Sequence, residues 1–507
     1  MPPTGSWELP IDRGAPVTTL VEVLPMARRE EVHEQALAIL ARTGLLVESD
    51  QARAILGAAG ATVDQSGRRV RLPRAVVEAA LAAAPRTFSL GGSRPGWELS
   101  LDGSGCSLVA DGEALQTLDA ATGERRPATE LDWERSTDLL DAMEEVGVYW
   151  RMVNFDGGDP LPGAAVRGWA GAFTRFSRHV QDSASDPDEA AWLLEVLGAL
   201  FGGREEVRRR RPFSFLLCPL TPLVLEGPYT DAWLATADWG LPVAAMPMPM
   251  MGLSAPVGLL STITLGTAEV LATLCLVQAA APGTPFIFAP ALSVMEPRTG
   301  RFGGGAVEHA LLGAATTEMA RFYGLPAQAS TGGTDAHLPG AQAGAERATG
   351  WVLPVLAWPD LLVGPGLLGG STVLSLEQLL LDVEGFRRCV RLRRGIDSAL
   401  EDAMADALDE AGPGGDFLSR PATRRATHDG EWYIDRLGVR DGWERWEAAG
   451  RADIVGDARL AVADLLAAHR PPPMDEAVAR ELATIVARAS VGAAAPVQSS
   501  LFRRTEP

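Results

Sequence analysis

The sequence predicts an α/β protein built as a (β/α)8 TIM barrel, with an N-terminal α+β extension and a C-terminal helical appendage. Three observations carry this. From Leu131 onward, short apolar runs alternate with helix-length segments, the pattern of parallel strands joined by crossover helices. Seven such units follow one another without a break that would reverse a sheet. No Gly-rich dinucleotide fingerprint follows any of these strands, which disfavours an open doubly wound sheet.

The elements follow in order. Within residues 1–130, the N-terminal extension, Val32, Ala36, Leu37 and Leu40 fall at helical spacing over 28–43, and Gly44 stops that helix. A second helix is expected over 74–84. Between 87 and 118 the runs TFSLGG, WELSLD, SLVADG and ALQTLD are separated by Gly and Asp and read as hairpins. The barrel core is assigned to 131–412, with strands VYWRMVN (148–154), RHVQDS (178–183), FSFLLCP (213–219), PVAAMPM (242–248), PFIFAP (285–290), PAQASTG (326–332) and DLLVGPG (360–366). Helices are expected over 189–201, 268–280, 307–323 and 376–391. The pattern does not place an eighth strand. Residues 413–507, rich in Trp and charge at first, form the appendage.

Composition narrows the function classes. A chain of 507 residues with 47% apolar and 22% charged residues has material for a large core. A net charge of −20 argues against nucleic acid and anionic membranes as partners. The basic runs at 208–211 and 387–394 are short, lack interleaved aromatics and read as solvated helix ends. Cys106, Cys218, Cys275 and Cys389 are far apart and form no CxxC or Cys/His cluster, so no metal site or disulfide framework is expected, and a reducing, cytoplasmic setting is. The first residues show no basic stretch leading into an apolar one, so no signal peptide is expected. The segment 259–281 is long enough to cross a membrane, but Thr262, Glu269, Thr273 and Gln278 punctuate it, and a buried barrel helix is expected instead.

Barrel enzymes place their chemistry at the C-terminal ends of strands and in the loops that follow. That rule selects Asn154 and Asp156, Gln181 and Asp182, Cys218 and Thr221, Met248 to Met251 with Ser254, Glu296, Asp335 and His337, and Ser371. The densest stretch is STGGTDAHLPGAQAGAE (330–346), in which Gln342 and Glu346 share one helix face. Asp335, His337 and Gly340 spell D-x-H-x-x-G, the phrase with which cobalamin-binding modules offer a carboxylate-backed histidine to cobalt. The apolar strand, Ser-x-Leu and Gly-Gly that normally accompany it are not found, so no permanently bound corrinoid is expected. The remaining readings are a substrate pocket at the barrel mouth and a hydrogen-bonded loop histidine. No G-x-S-x-G, H-E-x-x-H or P-loop string occurs.

Several strings together resemble a known family. HEQALAILARTGLLVES (33–49), CPLTPL (218–223), MPMMGLSAPV with LVQAAAPGTPFIF (248–288), GGTDAHLPGAQAGAE (332–346) and WYIDRLGVRDGWERW (432–446) are similar, in order, to landmarks of the trimethylamine methyltransferase (MttB) family. The resemblance implies a barrel that moves a methyl group from an amine to the cobalt of a separate corrinoid protein. Relatives acting on trimethylamine carry pyrrolysine, whereas every position here is a standard residue. Members of that kind are associated with quaternary amines such as glycine betaine, which implies a small quaternary-amine substrate, a corrinoid supplied by a partner protein and no cofactor held permanently by this chain. Demethylating a quaternary amine releases a neutral amine that needs no proton, so the protein mainly positions the cation and excludes water.

Carried over by position, the resemblance implies Asp335, His337 and Glu346 as catalytic residues, and Asn154 and Gln342 as substrate-binding ones. Trp150, Phe155, Trp351 and Trp358 are candidates for a cation cage, although large aromatics more often pack cores. The family often has Lys at the position of His337 and an acid at that of Gly340, departures that bear on the substrate more than on the fold. Two alternatives stand beside this reading: a same-fold methyltransferase with another donor or a non-corrinoid acceptor, and a non-catalytic ligand-binding barrel. A homo-oligomer is expected on general grounds.

Overall fold

In a computed structural model of the chain, the described residues are 21–64, 67–119, 122–155, 161–396, 404–428, 431–471 and 473–492. Eight short strands, largely buried on both faces, form one parallel sheet. They are β1 (Ser107–Val109), β2 (Val146–Tyr149), β3 (His179–Asp182), β4 (Phe213–Leu217), β5 (Val243–Ala245), β6 (Phe286–Phe288), β7 (Gln328–Ser330) and β8 (Leu361–Val363). Neighbours run β6-β5-β4-β3-β2-β1-β8-β7. Phe288 then pairs in parallel with Ala327, its N–H donating to the Pro326 carbonyl at 2.9 Å, so the sheet closes on itself. After each strand comes a main helix: α1 (Glu130–Asp141), α2 (Ala164–Arg175), α3 (Pro187–Phe201, followed by a short helix Arg204–Arg210), α4 (Gly227–Thr236), α5 (Leu259–Ala280), α6 (Glu308–Tyr323), α7 (Ala341–Ala357) and α8 (Leu376–Arg393). The fold is a (β/α)8 barrel.

The strand that the sequence pattern left unplaced is β1, and it corrects the hairpin reading. Phe88–Gly91 and Glu98–Leu101 do pair antiparallel, but Ser107–Val109 enters the barrel between β2 and β8. The barrel therefore starts before residue 131, and a boundary there cuts its first unit in two. The physical cause is an insertion: a ribbon of Gln116–Leu118 with Arg125–Pro127 separates β1 from α1 and breaks the alternation.

The antiparallel hairpin fills the bottom of the barrel. Phe88, Leu90 and Leu101 belong to the same apolar cluster as the inward-facing Val109, Val148, Leu216, Ala244, Ile287, Leu361 and Val363. Above them sits a polar layer in which every group has a partner. The Gly91 carbonyl can only accept, so His179 donates to it from Nδ1 at 2.9 Å and takes the Ser214 hydroxyl at Nε2 at 2.9 Å. Gln181 donates to Ser214 Oγ at 3.1 Å and exchanges amide hydrogen bonds with Gln328 at 3.1 and 2.9 Å. Burial keeps His179 neutral, its pKa lowered to about 4.

Helix α5 is apolar enough and long enough to cross a membrane, yet it is buried inside the protein. One side packs on the barrel; Met26–Arg42, Asp50–Ala58 and Arg74–Ala83 of the extension cover the other. A helix covered all round is apolar all round. Its Thr262, Thr264 and Thr273 hydroxyls donate one turn back to the carbonyls of Gly258, Leu260 and Glu269. On the opposite flank, Ile454–Ala468 packs on α8 and α1, and Glu476–Ser490 on α2 and α3.

Candidate active site

The C-terminal ends of the strands form a braced rim. Beyond β5 and β6, Met250–Met251 pairs with Ser293–Val294. Beyond β8 and β1, Val373–Leu374 pairs with Gln116–Leu118, and the Ser371 hydroxyl donates to the Asp111 carboxylate at 2.8 Å. Burial raises the Asp111 pKa, opposed by the Ser371 hydrogen bond and by Arg347. Beyond β4, Val224–Leu225 joins the small sheet of the extension through Leu45–Val47. There Glu269 of α5, fully buried, accepts the Thr221 hydroxyl at 2.9 Å and the Leu223 N–H at 2.7 Å. Burial lifts its pKa to about 7 in spite of these bonds.

The loop after β7 is held from two sides. Asp335 accepts the N–H groups of Gly304 and Gly305 at 2.9 and 3.1 Å. Glu346 accepts the Thr334 hydroxyl, the Asp335 N–H at 2.9 Å and the Gln342 amide at 2.9 Å. Burial would raise the Glu346 pKa, but these donors together hold it below the ordinary carboxyl value. A Cβ at Gly305 would push the Glu346 carboxyl out of these bonds. Arg347 bonds the carbonyls of Gly332, Gly364 and Leu367 at 3.2, 2.6 and 2.7 Å and so ties the loops after β7 and β8 together. His337 is left exposed at the tip, with no hydrogen bond among the described residues.

On the β1 to β4 side, Trp150 is half-buried and packs on the apolar cluster of the barrel interior. Its neighbour Gly112 has no room for a side chain, since a Cβ would meet the Arg151 carbonyl and lie 3.3 Å from the indole. Arg151 turns outward to Asp182 at 3.3 Å, and Asp182 also accepts the Trp169 N–H at 3.0 Å. Burial raises the Asp182 pKa; Arg151 opposes this and Glu113 adds to it. Asn154 donates to Glu113 at 3.2 Å. Cys218 is pushed up to about 12 by burial, with the Glu113 charge adding to the shift.

The residues expected from sequence thus separate. Asn154 and Trp150 stand at the mouth beside Glu113, and His337 lies on the rim. Asp335, Glu346 and Gln342 brace the β7 loop, so the two carboxylates named as catalytic are occupied by loop-holding hydrogen bonds. Gln181 lies below, in the polar layer, and Glu296 is spent on Arg298 at 2.6 Å. Phe155 packs on Trp133 of α1, ring centres 5.1 Å apart. Trp351 is not at the mouth: it is fully buried between α7 and α8, edge-on to Phe386 at 6.0 Å, because its helical position faces the neighbouring helix. Trp358 follows α7 at the other end of the barrel, its indole N–H on the Ser104 carbonyl and Arg393 over its ring. Asp156 lies outside the described residues. Sequence reasoning missed Asp111 and Glu113, whose one signal was the unrecognised strand before them.

A closed parallel barrel with a braced polar rim at its C-terminal face defines a (β/α)8-barrel protein of the enzyme type. The sequence profile described as trimethylamine methyltransferase (MTTB) matches residues 11–493, and the chain belongs to that methyltransferase family. It is similar to the trimethylamine methyltransferase MttB of Desulfitobacterium hafniense (strain DSM 10664 / DCB-2), 29% identical over 455 residues that cover 90% of this chain and 91% of that protein. The glycine betaine methyltransferase of D. hafniense strain Y51 is 27% identical over 461 residues, covering 90% and 95%. Among solved structures, the Methanosarcina barkeri monomethylamine methyltransferase (MtmB) is similar with a TM-score of 0.44 and 12% identity, over 87% of this chain and 93% of that one.

Proposed function

We propose that this chain transfers a methyl group from a quaternary amine of the glycine betaine kind to the cobalt of a separate corrinoid protein. The observation that carries the donor is the mouth itself: the Trp150 indole at the end of β2 lies against the backbone at Gly112, the residue between Asp111 and Glu113 beyond β1. An aromatic face among carboxylates suits a cation that has no N–H to donate. The glycine betaine methyltransferase relative and the wholly standard composition of the chain point the same way.

A reduced corrinoid would supply the nucleophile that takes the methyl group. The chain's share is to hold the donor, keep water out and present one methyl to the opening. No general acid is required, because the amine leaves neutral, which agrees with Asp335 and Glu346 being used as braces. That the corrinoid is brought rather than kept is supported by Asp335: the carboxylate that would back His337 as a cobalt ligand is bonded to Gly304 and Gly305 instead. Exposed Leu220, Met248, Leu253, Val257, Val307 and Leu338 on the loops and helix start beyond β4 to β7 give a partner an apolar rim to dock on.

The test is methylcobalamin formation, followed by absorbance, when the purified chain meets cob(I)alamin and glycine betaine. Absence of demethylation across a panel of quaternary amines rejects the proposal.

A further inference from the structure

We propose that Glu113 is the residue that selects a positively charged methyl donor, acting with the Trp150 indole and held in place by Asn154; the inference rests on the quaternary-amine reading above. The position of Glu113 is fixed by backbone. Beyond the barrel, the continuations of β1 and β2 stay paired through Ala114 and Val153, with Ala114 N–H on the Met152 carbonyl and Asn154 N–H on the Ala114 carbonyl, both at 2.9 Å. Gly112 lets the two continuations approach closely enough to lay the backbone against the Trp150 ring.

Glu113 is exposed at the C-terminal face, beyond β1. Its charge acts on Arg151 and Asp182 beyond β2 and β3, and on the Cys218 thiol beyond β4, which faces the barrel interior three strands away from β1. A charge felt beyond β2, β3 and β4 belongs to the C-terminal face, where the Asn154 amide holds it at 3.2 Å. Asn154 occupies one carboxylate oxygen, and the other has no hydrogen-bond partner among the described residues. The nearby cation, Arg151, pairs with Asp182 at 3.3 Å and also feels the Glu113 charge, so among the described residues one guanidinium is shared by two carboxylates.

This pairing suits a quaternary ammonium. Such a group offers only charge and methyl surface, so it is recognised by an aromatic face and by Coulomb attraction that needs no directed donor. As the C–N bond breaks, its electron pair stays on nitrogen and the positive charge leaves the amine. Glu113 therefore favours the bound substrate over both the charge-dispersed transition state and the neutral product. Its contribution appears in binding and not in the chemical step.

Calorimetry with glycine betaine and its carbon isostere 3,3-dimethylbutanoate, in which an uncharged tert-butyl group replaces the trimethylammonium, separates the outcomes. Wild type is expected to prefer the cation. Glu113→Gln is expected to lose about tenfold of that preference, through weaker betaine binding with the isostere unchanged, and Glu113→Asp to retain part of it. In turnover, Glu113→Gln raises KM with kcat level or slightly higher. Unaltered preference in a folded Glu113→Gln overturns the role of Glu113 alone. A wild type with no preference for the cation overturns the donor reading as well.

Discussion

The Glu346 carboxylate accepts the backbone N–H of Asp335 at 2.9 Å, while the Asp335 carboxylate turns away to Gly304 and Gly305. Two acids that look like a catalytic pair are consecutive struts of one loop. Replacing Glu346 by Ala leaves buried donors unmatched and should cost about 1–3 kcal/mol in urea unfolding. Its pKa is depressed in the fold, so this stabilisation is present above the ordinary value of 4.5 and is lost as pH falls through the lower folded value. Glu346→Gln should flatten that acid limb in a series of unfolding midpoints against pH.

Glu269 behaves in the opposite sense. Its folded pKa of about 7 lies above the ordinary 4.5, so the fold is favoured with the proton on; stability falls as pH rises from 4.5 to 7 and then levels. The cost of ionising it is roughly 3 kcal/mol. Glu269→Gln keeps an oxygen for Leu223 and a donor for Thr221. It should therefore unfold at higher temperature than wild type at pH 8 and match it near pH 4. Equal midpoints at both pH values would refute the buried charge.

Trp150 and Trp351 should part company on substitution. Trp351→Ala removes a fully buried ring from between two helices and is expected to cost about 3–5 kcal/mol, with donor affinity of the folded fraction intact. Trp150→Ala should weaken glycine betaine binding by about tenfold for a smaller loss of stability. Chemical denaturation and calorimetry on the two variants measure both.

His337 is exposed at the tip of a loop that others hold rigid. His337→Ala should stay within about 0.5 kcal/mol of wild type in stability. If the rim reads the donor's far end, kcat/KM for glycine betaine relative to a longer betaine shifts by about tenfold. An unchanged ratio removes His337 from recognition.

Seven barrel strands were legible because most strands buried on both faces read as short apolar runs between turn residues, and most were followed by a visible helix. β1 was not, since Ser107–Val109 is brief, follows a true hairpin and is cut off from α1 by a ribbon. Losing β1 also hid Asp111 and Glu113, so the acidic side of the mouth was missed while its aromatic side, Trp150, was found. The β7 loop was legible as chemically dense, but sequence does not tell a reacting carboxylate from one that caps backbone N–H groups. That difference lies in where Gly304, Gly305 and Thr334 fall in three dimensions. Trp351 shows the same limit for aromatics, as its rotation about α7 decides between rim and helix layer.

The hairpin of Phe88–Gly91 and Glu98–Leu101 plugs one end of the barrel, so among the described residues the C-terminal face is the side left for entry. A small donor has to be inside before anything large covers that doorway, and the spent amine has to wait until the cover lifts. For the function proposed above, traffic through this molecule is then compulsorily ordered: first on, last off for the small molecule. An excess of the macromolecular acceptor should slow turnover by shutting the empty barrel.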